Sequence, residues 1–315
     1  MTSLCDRLDQ YIAERRSHGG NWASPAKQVR PFVTFADSEG AEWITTGLFL
    51  HWKERFGSAG QTAWAGRLSA VRVFATWLQG IDPRTEVPPK GLIPHRAMRP
   101  KPYIYSDREI CRIVAEAADL KCRTGLRGTT FSTMFGLIAV TGMRIGEALA
   151  LHDADVDTGG AVIRVKHAKN GRDRVIPITG CTAERLRMHR DTRNRILGRA
   201  TQAFFCGAGG DGLSANTVRR NFAKVGQWIG LREPQAGTKK GRGPRLHDLR
   251  HSFATKTIID WFRQGHDVDV EMYKLSTFLG HAGPDCTWWY IEAVPELLAL
   301  ARDRADSSLG GGERT

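Results

Sequence analysis

The sequence lacks the features that mark several common classes of protein. Its longest apolar run, at 134–140, is far too short to cross a bilayer, and the start of the chain has no apolar segment typical of a signal peptide. The cysteines form no CxxC pair and no Cys/His spacing of a zinc site, and the acidic residues form no cluster suited to two metal ions. We therefore expect a cytoplasmic chain with reduced thiols, no membrane segment and no metal site.

Acidic residues are also in short supply. The 315 residues include 33 Asp and Glu against 46 Lys and Arg, which gives a formal net charge of +13. Such a chain is attracted to polyanions, and nucleic acid is the leading partner. Proteins are also basic for other reasons, so charge alone leaves the partner open.

Prolines divide the chain into two parts. Six of them lie within 82–102, where neither helical nor strand periodicity can continue. We therefore predict a helical domain over 1–82, a linker over 83–104, a second domain over 105–302 and a disordered tail over 303–315.

The periodicity of the apolar residues is mostly helical. One apolar stripe runs from Trp64 to Leu78, and Ser106 with Glu109 forms a capping box that opens the second domain. Further helices are expected near 3–16, 43–56, 128–150, 181–196, 215–230, 247–264, 270–280 and 292–302. Over 161–178, β-branched residues alternate with charged ones around an Asn-Gly turn, which predicts a hairpin. The predicted fold is mainly α with a small antiparallel β-sheet, an α+β chain.

The segment PRLHDLRHSFAT, at 244–255, places a histidine and an arginine on one helical face. His247 and Arg250 are three residues apart and can be presented together from a rigid helix. Asp248 and His251 are expected to point elsewhere, towards structural hydrogen bonds. An H-x-x-R pair arises easily by chance, so this segment needs support from others.

Two further segments supply that support. In TGMRIGEALAL, Arg144 and Glu147 lie three residues apart, and two glycines that each cost roughly 1 kcal/mol in a helix suggest a close approach of backbone or ligand. In LGHAGPDCTWWY, His281 follows a helix and Tyr290 comes nine positions later. Lys169 lies at the turn of the predicted hairpin. The segments together hold two arginines, two histidines, a lysine and a tyrosine.

These segments, with AKNGRDRVIPI of the hairpin, resemble the four boxes of the tyrosine recombinases, also called the phage integrase family. They occur in the family's order across 141–290. The resemblance implies that 1–82 is a core-binding domain for DNA and that 105–302 is the catalytic domain. It implies that the catalytic residues are Arg144, Lys169, His247, Arg250, His281 and Tyr290, with Glu147 as a supporting acidic residue.

The chemistry of the family explains these residue types. The two arginines neutralise a phosphodiester whose charge concentrates in the transition state. Tyr290 is a poor nucleophile until a base takes its proton, a role expected of His247, and Lys169 would protonate the departing 5′-oxygen. Lys166 is a weaker alternative for that lysine, because Lys169 fits the hairpin tip better.

The resemblance also implies partners and products. Attack by the tyrosine would give a 3′-phosphotyrosyl bond without ATP, metal or cofactor, and a tetramer on two double-stranded DNA sites would exchange strands through a Holliday junction. Trp288 and Trp289 favour a recombinase of a transposable element, with other recombinases of that element as further partners. The segment 292–302 is expected either to dock on a neighbouring protomer or to pack on its own domain.

Basic residues outside the boxes are candidates for contacts to the DNA backbone, with a solvated surface as the alternative. They are Arg67, Arg72, Arg219, Arg220 and Lys224 on predicted helices, and Lys239, Lys240 and Arg242 in a glycine-rich loop.

The predicted function is site-specific recombination that serves integration, excision or transposition of a mobile element. Two alternatives share parts of the pattern: a type IB topoisomerase, which relaxes supercoils as a monomer, and a catalytically silent DNA-binding accessory protein.

Overall fold

The chain folds into two compact units. The computed structural model describes residues 2–19, 22–57, 59–94, 101–166, 173–234, 243–281, 283 and 285–310. The N-terminal unit comprises Met1–Pro100 and the C-terminal unit Lys101–Thr315. Across the described ranges, no helix combines the length and the apolar character needed to cross a membrane.

The N-terminal unit is a helical bundle around an aromatic core. Its helices are α1 (Leu4–Ser17), α2 (Ala23–Ser38), α3 (Thr46–Arg55) and α4 (Gln61–Gln79). Helix α2 was not predicted from the sequence, because Pro31 lies inside it. Val29, Phe32 and Val33 are fully buried, so packing of this apolar face outweighs the loss of one backbone hydrogen bond at the proline.

The first part of the predicted linker packs on the N-terminal unit. Thr85 is 1% exposed and Ile93 6%. The backbone N–H of Glu86 donates to the carbonyl of Ile44 at 2.8 Å, and the side-chain amide of Gln79 donates to the carbonyl of Thr85 at 2.8 Å. In its described part up to residue 94, the proline-rich segment therefore has neither helix nor strand, yet it is fixed on the N-terminal unit.

The C-terminal unit is mainly helical with one small sheet. Its helices are α5 (Asp107–Ala118), α6 (Leu126–Thr141), α7 (Ile145–Ala150), α8 (Gly180–Leu197), α9 (Ala215–Trp228), α10 (Leu246–Arg263), α11 (Val268–Leu279), α12 (Asp285–Ala293) and α13 (Pro295–Gly310), with a 3₁₀ turn at Asp153–Asp155. The strands are β1 (Val156–Asp157), β2 (Val162–Val165) and β3 (Arg174–Pro177), antiparallel in the order β1-β2-β3. Strands β2 and β3 pair as the predicted hairpin requires. The predicted fold class is confirmed; the hairpin turn with Lys169 lies outside the described residues.

A glycine breaks the helix that was expected over 128–150. Gly142 ends α6 with a φ of 61°, in the left-handed region that favours glycine. A Cβ there would lie 2.6 Å from Cδ1 of Phe253 and 2.9 Å from Cδ2 of Leu279. The predicted close approach is thus a packing contact at Gly142, and the break lets α7 begin immediately after Arg144.

The last helix packs on its own unit. Leu297 is fully buried and Val294 is 8% exposed, in one apolar cluster with residues of α10 to α12. Arg263 and Glu296 form an ion pair at 2.9 Å. Helix α13 continues to Gly310, whereas a disordered tail was predicted from residue 303. The helix continues because no glycine or proline lies between Glu296 and Leu309 to end it.

The break at Gly142 yields a stability prediction. Gly142→Ala should lower the free energy of unfolding by about 2–4 kcal/mol, since it combines a left-handed backbone with overpacking. Chemical denaturation of the full chain measures the difference. Gly146→Ala is the matched control, because no atom lies within 4 Å of the added Cβ, and it should be neutral or up to about 1 kcal/mol stabilising. Equal effects of the two substitutions would contradict this account.

Candidate active site

The C-terminal end of α11 accepts hydrogen bonds from three arginine side chains. Arg174 donates to the carbonyl of Phe278 at 2.8 Å, and Arg144 donates to that of Gly280 at 2.8 Å. Arg250 donates to the carbonyl of Leu279 at 2.8 Å, and Arg144 reaches the same oxygen at 3.3 Å. The last carbonyls of a helix have no partners within the helix and carry its negative dipole end, so this end suits cations. We call these three carbonyls the arginine-binding helix end.

Arg144 is held at the start of α7. Its backbone N–H donates to Oε2 of Glu147 at 2.9 Å, and its side chain donates to Oε1 of the same carboxylate at 2.9 Å. The Arg144 side chain is 25% exposed. It is therefore fixed on its protein side while part of it still faces solvent.

Glu147 is a buried carboxylate between two arginines. Its side chain is 6% exposed and also accepts two hydrogen bonds from Arg174, at 2.7 and 3.1 Å. Burial by itself would raise the pKa of Glu147, but the hydrogen bonds from Arg174 and Arg144 outweigh it and hold the pKa below its ordinary value. Arg144 and Glu147 thus belong to a network with Arg174 around a buried carboxylate, and they are not a surface pair.

Arg250 is almost completely buried beneath the site. Its residue exposure is 2%, and it also donates to the carbonyl of Gly142 at 2.8 Å. Burial, followed by the charge of Arg144, lowers the pKa of Arg250 to about 10, so the guanidinium remains charged at neutral pH. The two predicted arginines converge, since both donate to the carbonyl of Leu279.

Tyr290 is buried among histidines. It is 2% exposed, and its hydroxyl lies 3.2 Å from Nδ1 of His251. The ring of His281 stacks on that of Tyr290 with a centroid distance of 6.3 Å, and Nδ1 of His281 lies 2.6 Å from the Thr287 hydroxyl. Burial, followed by the charge of Arg250, lowers the pKa of His281 to about 3, so this imidazole is neutral at pH 7.

His247 and His251 form a pair on α10. Their ring centroids are 4.6 Å apart, with the rings nearly perpendicular. His247 keeps an exposed surface, yet the surrounding protein atoms and then Arg250 lower its pKa. The expectation that His251 points away from the site is wrong, because its Nδ1 faces the Tyr290 hydroxyl. Asp248 does make structural hydrogen bonds, which it accepts from Arg245.

A basic cavity of about 730 Å³ opens beside these residues. Apolar side chains of α6, α7 and α9 form part of its wall. Its polar lining consists of Asn216, Arg219, Arg220, Gln227, Arg232, Arg245, His247 and Arg250. The cavity thus joins two predicted DNA-contact residues to two predicted catalytic residues, and it adds Arg232 and Arg245, which were not predicted.

The remaining predicted contact residues differ in their surroundings. Lys224 is exposed, with Nζ 4.8 Å from the centroid of the Trp228 ring. In the N-terminal unit, Arg67 lies over the rings of Trp52 and Trp64, and Arg72 donates to the carbonyl of Pro88. Lys169, Lys239, Lys240 and Arg242 lie outside the described residues.

Besides Arg232 and Arg245 of the cavity, sequence reasoning missed two residues next to Tyr290 and Glu147. His251 is four positions after His247, and that spacing places both on one helical face, so the pattern could have revealed it. Arg174 lies within the hairpin box, but its partner Glu147 is 27 positions away, and no local pattern connects them. Lys166, the alternative lysine, forms an ion pair with Asp155 at 2.5 Å.

The buried network predicts a pH-dependent stability. Glu147→Gln should lower the free energy of unfolding by about 3 kcal/mol or more at neutral pH, because it leaves two arginines without their carboxylate. The folded-state pKa of Glu147 lies below its ordinary 4.5, so its stabilisation is complete above pH 4.5 and is lost as the pH falls through the folded-state value. Denaturation curves at several pH values should therefore show that the free energies of unfolding of the wild type and of Glu147→Gln converge in acid.

The control for this substitution is Glu184→Gln. Glu184 is an exposed partner of Arg187, and its loss should leave stability nearly unchanged. A Glu147→Gln protein that is as stable as the wild type at neutral pH would refute the network's role.

The sequence matches a family model and several known proteins. The model of the phage integrase family matches residues 107–296. A candidate integrase/recombinase of Sinorhizobium fredii (strain NBRC 101917 / NGR234), y4rB, is 36% identical over 97% of this chain and 98% of its own length. A second one from that strain, y4rE, is 31% identical over 96% of each chain.

Solved structures show the same fold. The Tn1549 transposon integrase in complex with transposon right end DNA has a TM-score of 0.65 at 13% identity, over 95% of this chain and 99% of its own. A lambda integrase tetramer bound to a Holliday junction has a TM-score of 0.59 at 19% identity, over 90% of this chain and 79% of its own. The family match and the full-length relatives establish that this chain belongs to the phage integrase family, the tyrosine recombinases, and is a site-specific recombinase that cuts and rejoins DNA.

Proposed function

We propose that this recombinase cuts double-stranded DNA by attack of Tyr290 on a phosphate held by Arg144 and Arg250. The observation that carries the proposal is the convergence of both arginines on the carbonyl of Leu279, next to a buried Tyr290 on which the ring of His281 stacks. His247 reaches this group through its ring contact with His251, which lies against Tyr290. Planar guanidiniums suit a phosphate, since each can donate two parallel hydrogen bonds and remains charged at neutral pH. Because the arginine-binding helix end already fixes them, little reorganisation is needed when charge develops.

The reaction is balanced without an external energy source. The Tyr290 oxygen forms a bond to phosphorus while the bond from phosphorus to the 5′-oxygen breaks. The hydroxyl proton passes to His247, and Lys169 protonates the leaving oxygen. Rejoining is the reverse reaction, with the 5′-hydroxyl of a partner strand as the nucleophile.

His281 contributes a neutral donor to the phosphate. Its low pKa keeps the ring uncharged at pH 7, and Thr287 occupies Nδ1, so Nε2 is the nitrogen assigned to a non-bridging oxygen. Glu147 does not touch the phosphate. It holds Arg144 and Arg174 in place.

The DNA backbone is proposed to lie along the basic cavity. Arg219, Arg220, Arg232 and Arg245 line it next to His247. Lys224 lies on the same helix as Arg219 and extends the predicted contact surface. Lys239, Lys240 and Arg242 remain candidates from the sequence alone. Arg67 and Arg72 are weaker candidates, because stacking on tryptophans and a backbone carbonyl already engage them.

Assembly and biological role are proposed from the similar proteins. A tetramer on two DNA sites is supported by the lambda integrase tetramer on a Holliday junction. A role in transposition is supported by the Tn1549 transposon integrase and by the Thr-Trp-Trp-Tyr sequence that ends in Tyr290. Two relatives in one strain of Sinorhizobium fredii are consistent with recombinases that work in sets.

The nucleophile is tested by a covalent complex. Purified protein is incubated in EDTA with a library of nicked duplexes whose central sequence is randomised, and DNA that stays attached after denaturation is recovered and sequenced. We expect a metal-independent adduct that Tyr290→Phe abolishes, because phenylalanine has no nucleophilic oxygen. Tyr273→Phe is the matched control and should form adduct like the wild type, since Tyr273 is 62% exposed on α11.

Other outcomes identify the alternatives. An adduct that persists in Tyr290→Phe would mean that another residue is the nucleophile. Tight binding without adduct on any duplex would favour an accessory DNA-binding protein, whereas relaxation of supercoils by a monomer would favour a topoisomerase.

The basic cavity predicts a salt dependence. Arg219→Gln and Arg220→Gln should each reduce the slope of log affinity against log salt by about 1, because each removes one phosphate contact. Binding to a duplex is measured over a series of salt concentrations. Arg187→Gln is the control, since Arg187 already pairs with Glu184 and Asp191, and its slope should equal that of the wild type. Unchanged slopes for Arg219→Gln and Arg220→Gln would show that neither arginine contacts a phosphate and would contradict DNA binding along the cavity.

A further inference from the structure

The hydroxyl of Tyr290 faces a histidine outside the predicted catalytic set. Nδ1 of His251 lies 3.2 Å from this oxygen, and the two ring centroids are 5.5 Å apart. We propose that His251 is a positioning residue that orients the Tyr290 hydroxyl for attack on the phosphate. The inference rests on the proposed role of Tyr290 as the nucleophile.

The ring of His251 is itself held in place. The His247 ring contacts it nearly edge-on at a centroid distance of 4.6 Å, and the Trp289 ring lies 5.5 Å away at 59°. The residue lies in the second turn of α10, whose buried side includes Arg250 and Ser252. Packing leaves the His251 side chain few rotamers. Its ring nitrogen therefore directs a hydrogen-bond partner better than a mobile side chain would.

His251 also has the right protonation state. Burial, followed by the neighbouring His247, lowers its pKa to about 4, while Asp248 raises it and Arg245 and Arg250 lower it further. The ring is therefore neutral at pH 7 and has one nitrogen that can accept a hydrogen bond from the Tyr290 hydroxyl without taking its proton. An imidazolium could only donate, and it would add another cation beside the arginines.

The two histidines of α10 then have separate tasks. His247, the proposed acceptor of the hydroxyl proton in the reaction, lines the basic cavity together with Arg250. His251 faces the phenol of the nucleophile. Since Tyr290 is 2% exposed, its hydroxyl is removed from bulk water and depends on protein partners to satisfy and direct it.

The test compares three substitutions at one position. Asparagine places an amide atom close to the position of Nδ1, glutamine places it closer to Nε2, and phenylalanine removes the hydrogen bond altogether. Single-turnover adduct formation is measured on a nicked duplex that the wild type cleaves, with protein in excess and melting temperatures compared. We expect His251→Phe and His251→Gln to slow adduct formation about ten-fold or more, and His251→Asn to stay within about three-fold of the wild type.

A second measurement separates positioning of the hydroxyl from effects on the phosphate. In a Tyr290→Phe background, hydrogen peroxide supplied in solution can attack the phosphorus and displace the 5′-oxygen. His251→Phe should leave this peroxide-dependent cleavage unchanged, because no tyrosine hydroxyl takes part. Arg250→Lys in the same background should reduce it.

The outcomes distinguish this inference from the proposed function. Failure of the wild type to form any adduct would overturn the role of Tyr290 itself. Wild-type rates for His251→Phe with the tyrosine present, or an equal loss in the peroxide reaction, would overturn the positioning role alone. His266→Asn, an exposed histidine just after α10, is the matched control and should behave like the wild type.

Discussion

The end of one helix holds the charged part of this site together. Helix α11 stops at Leu279, and its last carbonyls, with that of Gly280, accept hydrogen bonds from Arg144, Arg174 and Arg250. Three guanidiniums that would otherwise repel one another are gathered at the negative end of a helix dipole, and one buried carboxylate, Glu147, completes the neutralisation. Glu147 offsets one of the three positive charges and the backbone carbonyls carry only partial charge, so the cluster stays net positive and suits an anion such as the proposed phosphate.

This arrangement depends on residues that are distant in the sequence. Gly142 ends α6 at the point where a side chain would collide with Phe253 and Leu279, and Arg144 therefore leaves the backbone at the start of a new helix. Gly280 is similarly constrained, because a Cβ there would lie 2.8 Å from Nη1 of Arg174. Two glycines thus allow helices α7, α10 and α11 to converge closely enough for arginines from separate segments to share one carbonyl.

Much of the fold and of the candidate site could be predicted from local patterns. The capping box at Ser106 and the β2–β3 hairpin follow from spacings of a few residues, and both are present in the structure. Helix α2 could not be predicted, because tertiary packing overrides its prolines. The partnership of Arg174 with Glu147 and of His251 with Tyr290 depends on where whole helices cross, which a local pattern does not encode. The i, i+4 spacing of His247 and His251 is the one local signal that places His251 on the side of the site.

On the proposed role of Tyr290 as the nucleophile, its burial has a consequence for when DNA can be cut. The ring belongs to the apolar cluster that α10, α11, α12 and α13 share, and only 2% of the residue is exposed. A duplex that merely touches the protein surface meets no reactive oxygen. Cutting requires a population of molecules in which the ring has left the cluster or the phosphate has entered it, and binding energy must supply the difference between these populations. With Tyr290 as the proposed nucleophile, this burial keeps the reactive oxygen of the isolated chain away from DNA that the protein encounters by chance.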